Sequence, residues 1–308
     1  MRIVCHFPPH KDCRPWLEAL HGQTRFPALV EAWQPGSPPA DYAVVWKPSQ
    51  AFFDAQPCLR AIFVAGAGVD GVLSLKLPIG VPLLRLEDAG MAAQMTEYVV
   101  HAVLRHFREF DTYAGQAAAG CWRERPLRKR SDFPVGLLGY GVLGQAAARA
   151  LRALDFDVHA WTRTPRTSAD LRIYSGADGL AAFLRATRIL VCMLPLTAET
   201  QGIICRDTLD QLQSGSYLIN LARGAHVVES DLIGALETGQ LLGATLDVCR
   251  DEPAAPGHPF WRHPKIALTP HIAGTTLCAE AVEQIVNNID ALERGLPTHG
   301  RVDPRRGY

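Results

Sequence analysis

Short β-branched apolar runs alternate with helical spacings along most of the chain. Residues 2–7, 42–46 and 61–64 read as buried strands, and residues 15–20 open a helix between the first two. Proline-rich loops at Pro35, Pro38 and Pro39 separate these elements. From about residue 96 to 116 one long helix is predicted, with Tyr98, Val99, Ala102, Val103, His106, Phe107 and Phe110 at helical spacing. A second series opens with an apolar strand at 135–138. The run Gly139, Gly141, Gly144 follows, and then an alanine-rich helix with Val142, Ala146, Ala150 and Leu154 on one face. Strands are predicted at 158–161, 188–194, 216–222, 243–248 and 266–269, with helices between them, for example at 230–238, and a last helix at 276–294. Strand–helix alternation of this kind gives a parallel, doubly wound α/β sheet.

At 308 residues the chain exceeds what one hydrophobic core usually organises, so two domains are expected. Residues 1–97 would form a smaller α/β domain, 98–275 the doubly wound one, and 276–308 a helix and tail returning to the first. The apolar (48%) and charged (20%) fractions are those of an ordinary soluble globular protein. Formal net charge is zero, which argues against nucleic acid or an anionic membrane as partner. The basic stretch 123–130 departs from that balance and reads as a solvated inter-domain linker. Eight cysteines at 5, 13, 58, 121, 192, 205, 249 and 278 form no C-x-x-C pair and no metal-ligand spacing, as free thiols in a reducing compartment would. The N-terminal apolar stretch is too short for a signal peptide, and the uncharged run 133–148 is glycine-broken and shorter than the ~20 residues of a membrane span. A cytoplasmic, soluble protein without a metal is expected.

The strand, G-x-G-x-x-G and helix at 135–154 form the dinucleotide fingerprint in its required context. Gly139 permits the tight turn, Gly141 lets the backbone approach a diphosphate, and Gly144 lets the helix pack on the sheet. The helix N-terminus would then hold the phosphates. No Asp or Glu stands at the end of the next strand, where an NAD-specific chain carries one for the ribose hydroxyls. Thr162, Arg163 and Arg166 stand there instead, and a hydroxyl with two guanidinium groups suits the 2′-phosphate of NADP(H). The alternative for these arginines is an ordinary solvated loop.

Ligands of open α/β sheets bind beyond the carboxyl ends of the strands. Arg223, Asp247 and His271 all lie just past predicted strand ends, and Glu252 follows Asp247 in C-R-D-E-P. Such a set supports carbonyl reduction. His271 would donate the proton to the forming alkoxide, Glu252 would hold the ring tautomer and favour its acid form, and Arg223 would clamp a carboxylate and polarise the carbonyl. The other histidines (6, 10, 21, 101, 106, 159, 226, 258, 263 and 299) read as structural or solvent-exposed.

An ordered series of motifs carries a family resemblance. It comprises L-L-G-Y-G-V-L-G at the fingerprint, W-T-R after the next strand, L-P-L-T-A-E-T-Q-G-I-I at 194–204, N-L-A-R-G at 220–224, L-D-V-C-R-D-E-P at 246–253 and P-H-I-A-G at 270–274. Over nearly its whole length the chain resembles the D-isomer-specific 2-hydroxyacid dehydrogenases, and within them the glyoxylate/hydroxypyruvate reductase A branch. The resemblance implies a Rossmann-type sheet inserted in a flavodoxin-like substrate domain that closes over the substrate. It implies Arg223, Glu252 and His271 as the catalytic trio. It also implies cofactor contacts from Val142, Leu143, Leu194, Pro195, Thr200, Ala222, Asp247, His271 and Ala273. The loop 65–70 matches the family's carboxylate-binding loop, with Ala67 and Gly68 offering backbone N–H groups. Trp46 and Lys47 sit where this branch narrows its pocket. The long helix from Thr96 resembles the family's dimer arm, so a homodimer is expected by analogy.

The expected activity is NADPH-dependent reduction of glyoxylate and hydroxypyruvate to glycolate and D-glycerate. Two alternatives stay open: an NAD-linked dehydrogenase of another 2-hydroxy acid, and a non-catalytic cofactor-sensing protein of the same fold. The first 60 residues match the family least well, and Cys249 stands where many members have Phe.

Overall fold

The computed structural model describes residues 1–308 and divides them into two compact units, Met1–Met91 with Thr275–Tyr308, and Ala92–Gly274. In the first unit five parallel strands, β1 (Arg2–His6), β2 (Leu29–Ala32), β3 (Tyr42–Val45), β4 (Ala61–Val64) and β5 (Leu83–Leu84), lie in the order β2-β1-β3-β4-β5. β3 and β4 are buried at every position, which is why their sequences are unbroken apolar runs. β2 and β5 are not among the expected strands. One is a partly exposed edge without a continuous apolar run, and the other has only two residues, too short to stand out.

The helix Arg14–Gln23, with proline in its first turn, packs against the helix Cys278–Glu293 from the far end of the chain. Glu293 of that second helix accepts Tyr42 Oη at 2.5 Å and pairs with Arg60 Nη1 at 2.6 Å. The tail then forms an antiparallel bridge with β5, through Val302 N to Leu83 O at 2.9 Å and Arg85 N to Gly300 O at 2.8 Å. Both chain ends therefore complete one sheet.

The second unit holds seven parallel strands, β6 (Val135–Leu138), β7 (Val158–Thr162), β8 (Arg172–Ser175), β9 (Ile189–Cys192), β10 (Ser216–Asn220), β11 (Leu241–Leu246) and β12 (Ile266–Leu268). Their order is β12-β11-β10-β9-β6-β7-β8. The direction of winding reverses between β6 and β9, the crevice in which open α/β sheets bind ligands. Leu138, Leu190, Cys192, Leu218 and Leu246 from the strands join Phe183, Leu209, Leu232 and Leu236 in one core, each large aliphatic group contributing roughly 1.5–3 kcal/mol of burial. No helix is long and apolar enough to cross a membrane.

Three features differ from expectation. The predicted helix 96–116 is two helices, Met91–Phe107 and Phe110–Ala118, separated at Glu109, whose φ is +54°. The basic stretch 123–130 lies inside the second unit and is not merely solvated. Arg125 and Arg128 each pair with Glu109 at 3.0 Å, Arg128 donates to His106 O at 2.9 Å, and Arg130 lies over the Phe107 and Phe156 rings. These contacts hold the left-handed break, which the helical spacing does not announce. Last, the helix Val142–Ala153 buries Gly144, Ala147, Ala148 and Leu151, not the expected face of Val142, Ala146, Ala150 and Leu154. Val142 is exposed at its first turn.

Candidate active site

The fingerprint turn sits at the winding reversal. Gly139 has φ +104°, and a Cβ there would press on Met193 O at 3.0 Å, so the turn and the loop after β9 run side by side. A Cβ at Gly144 would overlap Gly139 O, which is why the helix can start so close to the strand. Nothing stands within 4 Å of where a Cβ at Gly141 would project. That open space, over a helix N-terminus with Val142 and Leu143 in its first turn, fits the diphosphate of a dinucleotide.

β7 ends at Thr162, with no acid of its own there. Thr162 Oγ1 donates to Thr164 O at 2.9 Å and lies 3.1 Å from Ser175 Oγ. Arg166 reaches back to the fingerprint, donating to Tyr140 O at 2.7 Å with its guanidinium over the Tyr140 ring. Arg163 Nη1 pairs with Glu199 Oε2 at 2.9 Å. Glu199 arrives from the loop after β9, a carboxylate that motif spacing along β7 could not reveal. In that loop Thr200 Oγ1 donates to Pro195 O at 2.7 Å, and Leu194 and Thr200 are nearly buried.

Arg223 follows β10 in a turn built by two buried residues. Asn220 accepts Ala222 N at 3.1 Å on Oδ1 and donates to Arg223 O at 3.0 Å from Nδ2. His226, completely buried, takes Arg223 N–H on Nδ1 at 3.2 Å. Nδ1 also lies 3.1 Å from Arg223 O, and Nε2 faces Pro195 O at 3.3 Å. His226 thus ties the Arg223 turn to the loop after β9, a role its position in the sequence did not suggest. Backbone bonds from Gly202 N to Ala225 O and from Ile204 N to His226 O, both 2.9 Å, stitch the same two loops. The Arg223 guanidinium donates to Ala222 O at 2.8 Å among its contacts.

Glu252 and His271 come together from separate loops, with His271 Nδ1 2.8 Å from Glu252 Oε2. The other Glu252 oxygen accepts Cys249 N at 3.3 Å. The loop carrying Glu252 is held against the helix Glu229–Thr238, since Glu229 accepts Arg250 N at 3.2 Å and lies 3.3 Å from His258 Nε2. It also presses on Gly224, where a Cβ would overlap the Cys249 carbonyl and Arg250 N. With Nδ1 turned to the carboxylate, Nε2 of His271 is the ring atom left to face a reactant. Asp247, immediately after β11 and almost fully buried, accepts Ile272 N at 2.9 Å and Ala273 N at 2.8 Å.

Arg223, Asp247, Glu252 and His271 therefore stand beyond the carboxyl ends of β10, β11 and β12 in one sheet. Trp46, Ala67 and Gly68 belong to the first unit. There the Trp46 ring lies so close to Gly66 that a Cβ would overlap it, and Lys11 Nζ stands 5.4 Å from the ring centre.

The family model described as D-isomer specific 2-hydroxyacid dehydrogenase, NAD binding domain, matches residues 100–273. Glyoxylate/hydroxypyruvate reductase A of Serratia proteamaculans is 46% identical over 313 residues, covering 99% of both chains. The protein of the same name from Salmonella typhimurium is 45% identical over 315 residues, covering all of both. A D-isomer specific 2-hydroxyacid dehydrogenase from Xanthobacter autotrophicus, solved with NADPH and MES, superposes with a TM-score of 0.94 at 37% identity and 99% coverage of each chain. The NADPH-dependent glyoxylate/hydroxypyruvate reductase of Sinorhizobium meliloti, solved with NADP and sulfate, gives 0.92 at 34% identity, covering 100% of this chain and 99% of that one. The chain belongs to the D-isomer-specific 2-hydroxyacid dehydrogenase family.

Proposed function

We propose that the protein reduces small 2-oxo acids, chiefly glyoxylate and hydroxypyruvate, to glycolate and D-glycerate with NADPH. The observation that carries the reading is the 2.8 Å contact of His271 Nδ1 with Glu252 Oε2 at the carboxyl edge of the nucleotide-type sheet. The names of the Serratia and Sinorhizobium relatives support the same substrates, and the bound NADP of the latter supports the cofactor.

When bound, the reduced nicotinamide would supply the hydride to the carbonyl carbon. The chain does the rest. His271 gives a proton from Nε2 to the carbonyl oxygen as charge develops there, and Glu252 on Nδ1 fixes the orientation of the ring. Arg223 holds the carboxylate and carbonyl oxygen through its planar fork of donors. One hydride and one proton convert C=O to CH–OH. The turn at Gly139–Gly144 would hold the diphosphate, and Val142, Leu143, Leu194, Pro195, Thr200, Ala222, Asp247 and Ala273 would contact the rest of the cofactor. Thr162, Arg163 and Arg166 would hold the 2′-phosphate of the cofactor. In the first unit Ala67 and Gly68 offer backbone N–H groups to the substrate carboxylate. Trp46, packed on Gly66, limits the size of the acid.

The protein acts in the cytoplasm, a compartment that suits its eight free cysteines. It forms a homodimer through the arm after Glu109, where Phe110, Tyr113, Trp122 and Leu127 are exposed. The deciding experiment follows absorbance at 340 nm with NADPH and NADH against glyoxylate, hydroxypyruvate and pyruvate. Faster turnover of the first two acids with NADPH is expected. Tight cofactor binding without turnover of any acid would overturn the reading.

A further inference from the structure

We infer that Tyr98 and Thr269 are positioning residues for the proton donor, acting through Asp247 on the turn that carries His271. The inference rests on the assignment of His271 as that donor. His271 has φ +56°, a left-handed backbone that a side chain of its kind adopts only when its surroundings over-determine it. Asp247 supplies the restraint. Its backbone oxygen accepts His271 N at 2.8 Å, while Oδ1 and Oδ2 strap the next two peptides through Ile272 N and Ala273 N.

The carboxylate is itself aimed from behind. Thr269 Oγ1 donates to Asp247 Oδ1 at 2.6 Å, and Tyr98 Oη lies 2.6 Å from the same Thr269 oxygen. Thr269 has one hydroxyl proton, and Asp247 takes it, so Tyr98 must be the donor of the outer bond. The chain of donors runs one way, from Tyr98 to Thr269 to Asp247 and so to the turn. Burial pushes the Tyr98 phenol up to about 12, which keeps it a donor throughout neutral pH. Tyr98 stands on the helix Met91–Phe107, whereas Asp247 and Thr269 extend β11 and β12. The relay therefore references the His271 turn to a helix outside the sheet edge. Fixing the turn fixes the aim of Nε2, and small misalignments of a proton donor lower the rate of the chemical step more than binding.

Tyr98→Phe is expected to lower kcat about tenfold, the rate equivalent of one lost hydrogen bond, with KM for NADPH and glyoxylate changing less than about twofold. Thr269→Val, which breaks both bonds at constant shape, is expected to lower kcat about a hundredfold by the same conversion, and Thr269→Ser is expected to restore it. Circular dichroism melts accompany each variant, and Tyr98→Phe keeps the test readable where Thr269→Val does not fold. Tyr98→Phe within about twofold of wild-type kcat, or a rise in KM alone, overturns the inference while His271→Gln remains inactive. Retention of kcat by His271→Gln overturns the proton-donor assignment and this inference with it.

Discussion

At Gly224 the turn carrying Arg223 passes against the loop carrying Glu252, leaving no room for a methyl group beside the Cys249 carbonyl. Gly224→Ala must separate the two segments, and backbone cannot yield as a flexible side chain does. A fall in kcat/KM of roughly a hundredfold and a loss of about 2–4 kcal/mol in stability are expected, read by steady-state assay and urea denaturation. Arg163 and Arg166 make a second, separable prediction. Replacing both by Ala removes two charge-assisted contacts to a 2′-phosphate, each about 1.5–3 kcal/mol, so KM for NADPH should rise roughly a hundredfold or more while KM for NADH stays put. An unchanged NADPH KM would mean that the phosphate is held elsewhere. Arg223, Glu252 and His271 were legible because each follows a strand end or a short loop after one. Asn220, His226 and Glu199 were not. Their work is to hold another residue's backbone or side chain across the fold, and nothing in their local spacing records that.

Elements were legible where burial is two-sided. β3, β4, β6 and β9 are apolar at every position except the glycine in β6, and so read directly from the chain. β2 and β8 lie at sheet edges, partly open to solvent, and carry no continuous apolar run. The break at Glu109 was hidden for another reason. Glutamate is a good helix former, and the left-handed turn depends on arginines about twenty residues further on. The Glu109 side chain is 10% exposed, so its two ion pairs are better shielded than ordinary surface contacts. Glu109→Ala leaves Arg125 and Arg128 facing one another unneutralised. A loss of about 1–3 kcal/mol is expected, seen as a lower urea midpoint at unchanged slope.

On the scale of the whole molecule, His106 and His159 of the second unit make its stability depend on acid. Burial, reinforced by Arg128 and Arg188, lowers His106 to about 3, and burial lowers His159 to about 4, from the ordinary 6.5. His159 Nε2 lies 2.8 Å from Thr187 Oγ1 and His106 stacks on Tyr217, so both rings are packed as neutral groups. Above the unfolded value neither state binds a proton, and their contribution is present in full. As pH falls below about 6.5 the unfolded chain takes up protons that the folded one refuses, so stability is lost at about 1.4 kcal/mol per pH unit for each ring. Denaturant midpoints should hold steady from about pH 8 to 7 and fall progressively toward pH 4. A midpoint that stays flat through that lower range would show that neither ring is kept neutral by the fold.

The first unit draws its strands from the start of the chain and its closing helix and tail from the end. On the ribosome this reverses the order of completion. Tyr42–Val45 and Ala61–Val64 emerge early but must wait for Ala281, Val282, Ile285, Val286 and Ile289, the buried face of the final helix. The second unit, continuous from Ala92 to Gly274, is fully translated before that helix appears. A chain ending at residue 274 therefore carries one unit with all of its strands and one whose apolar strands lack the helix that covers them.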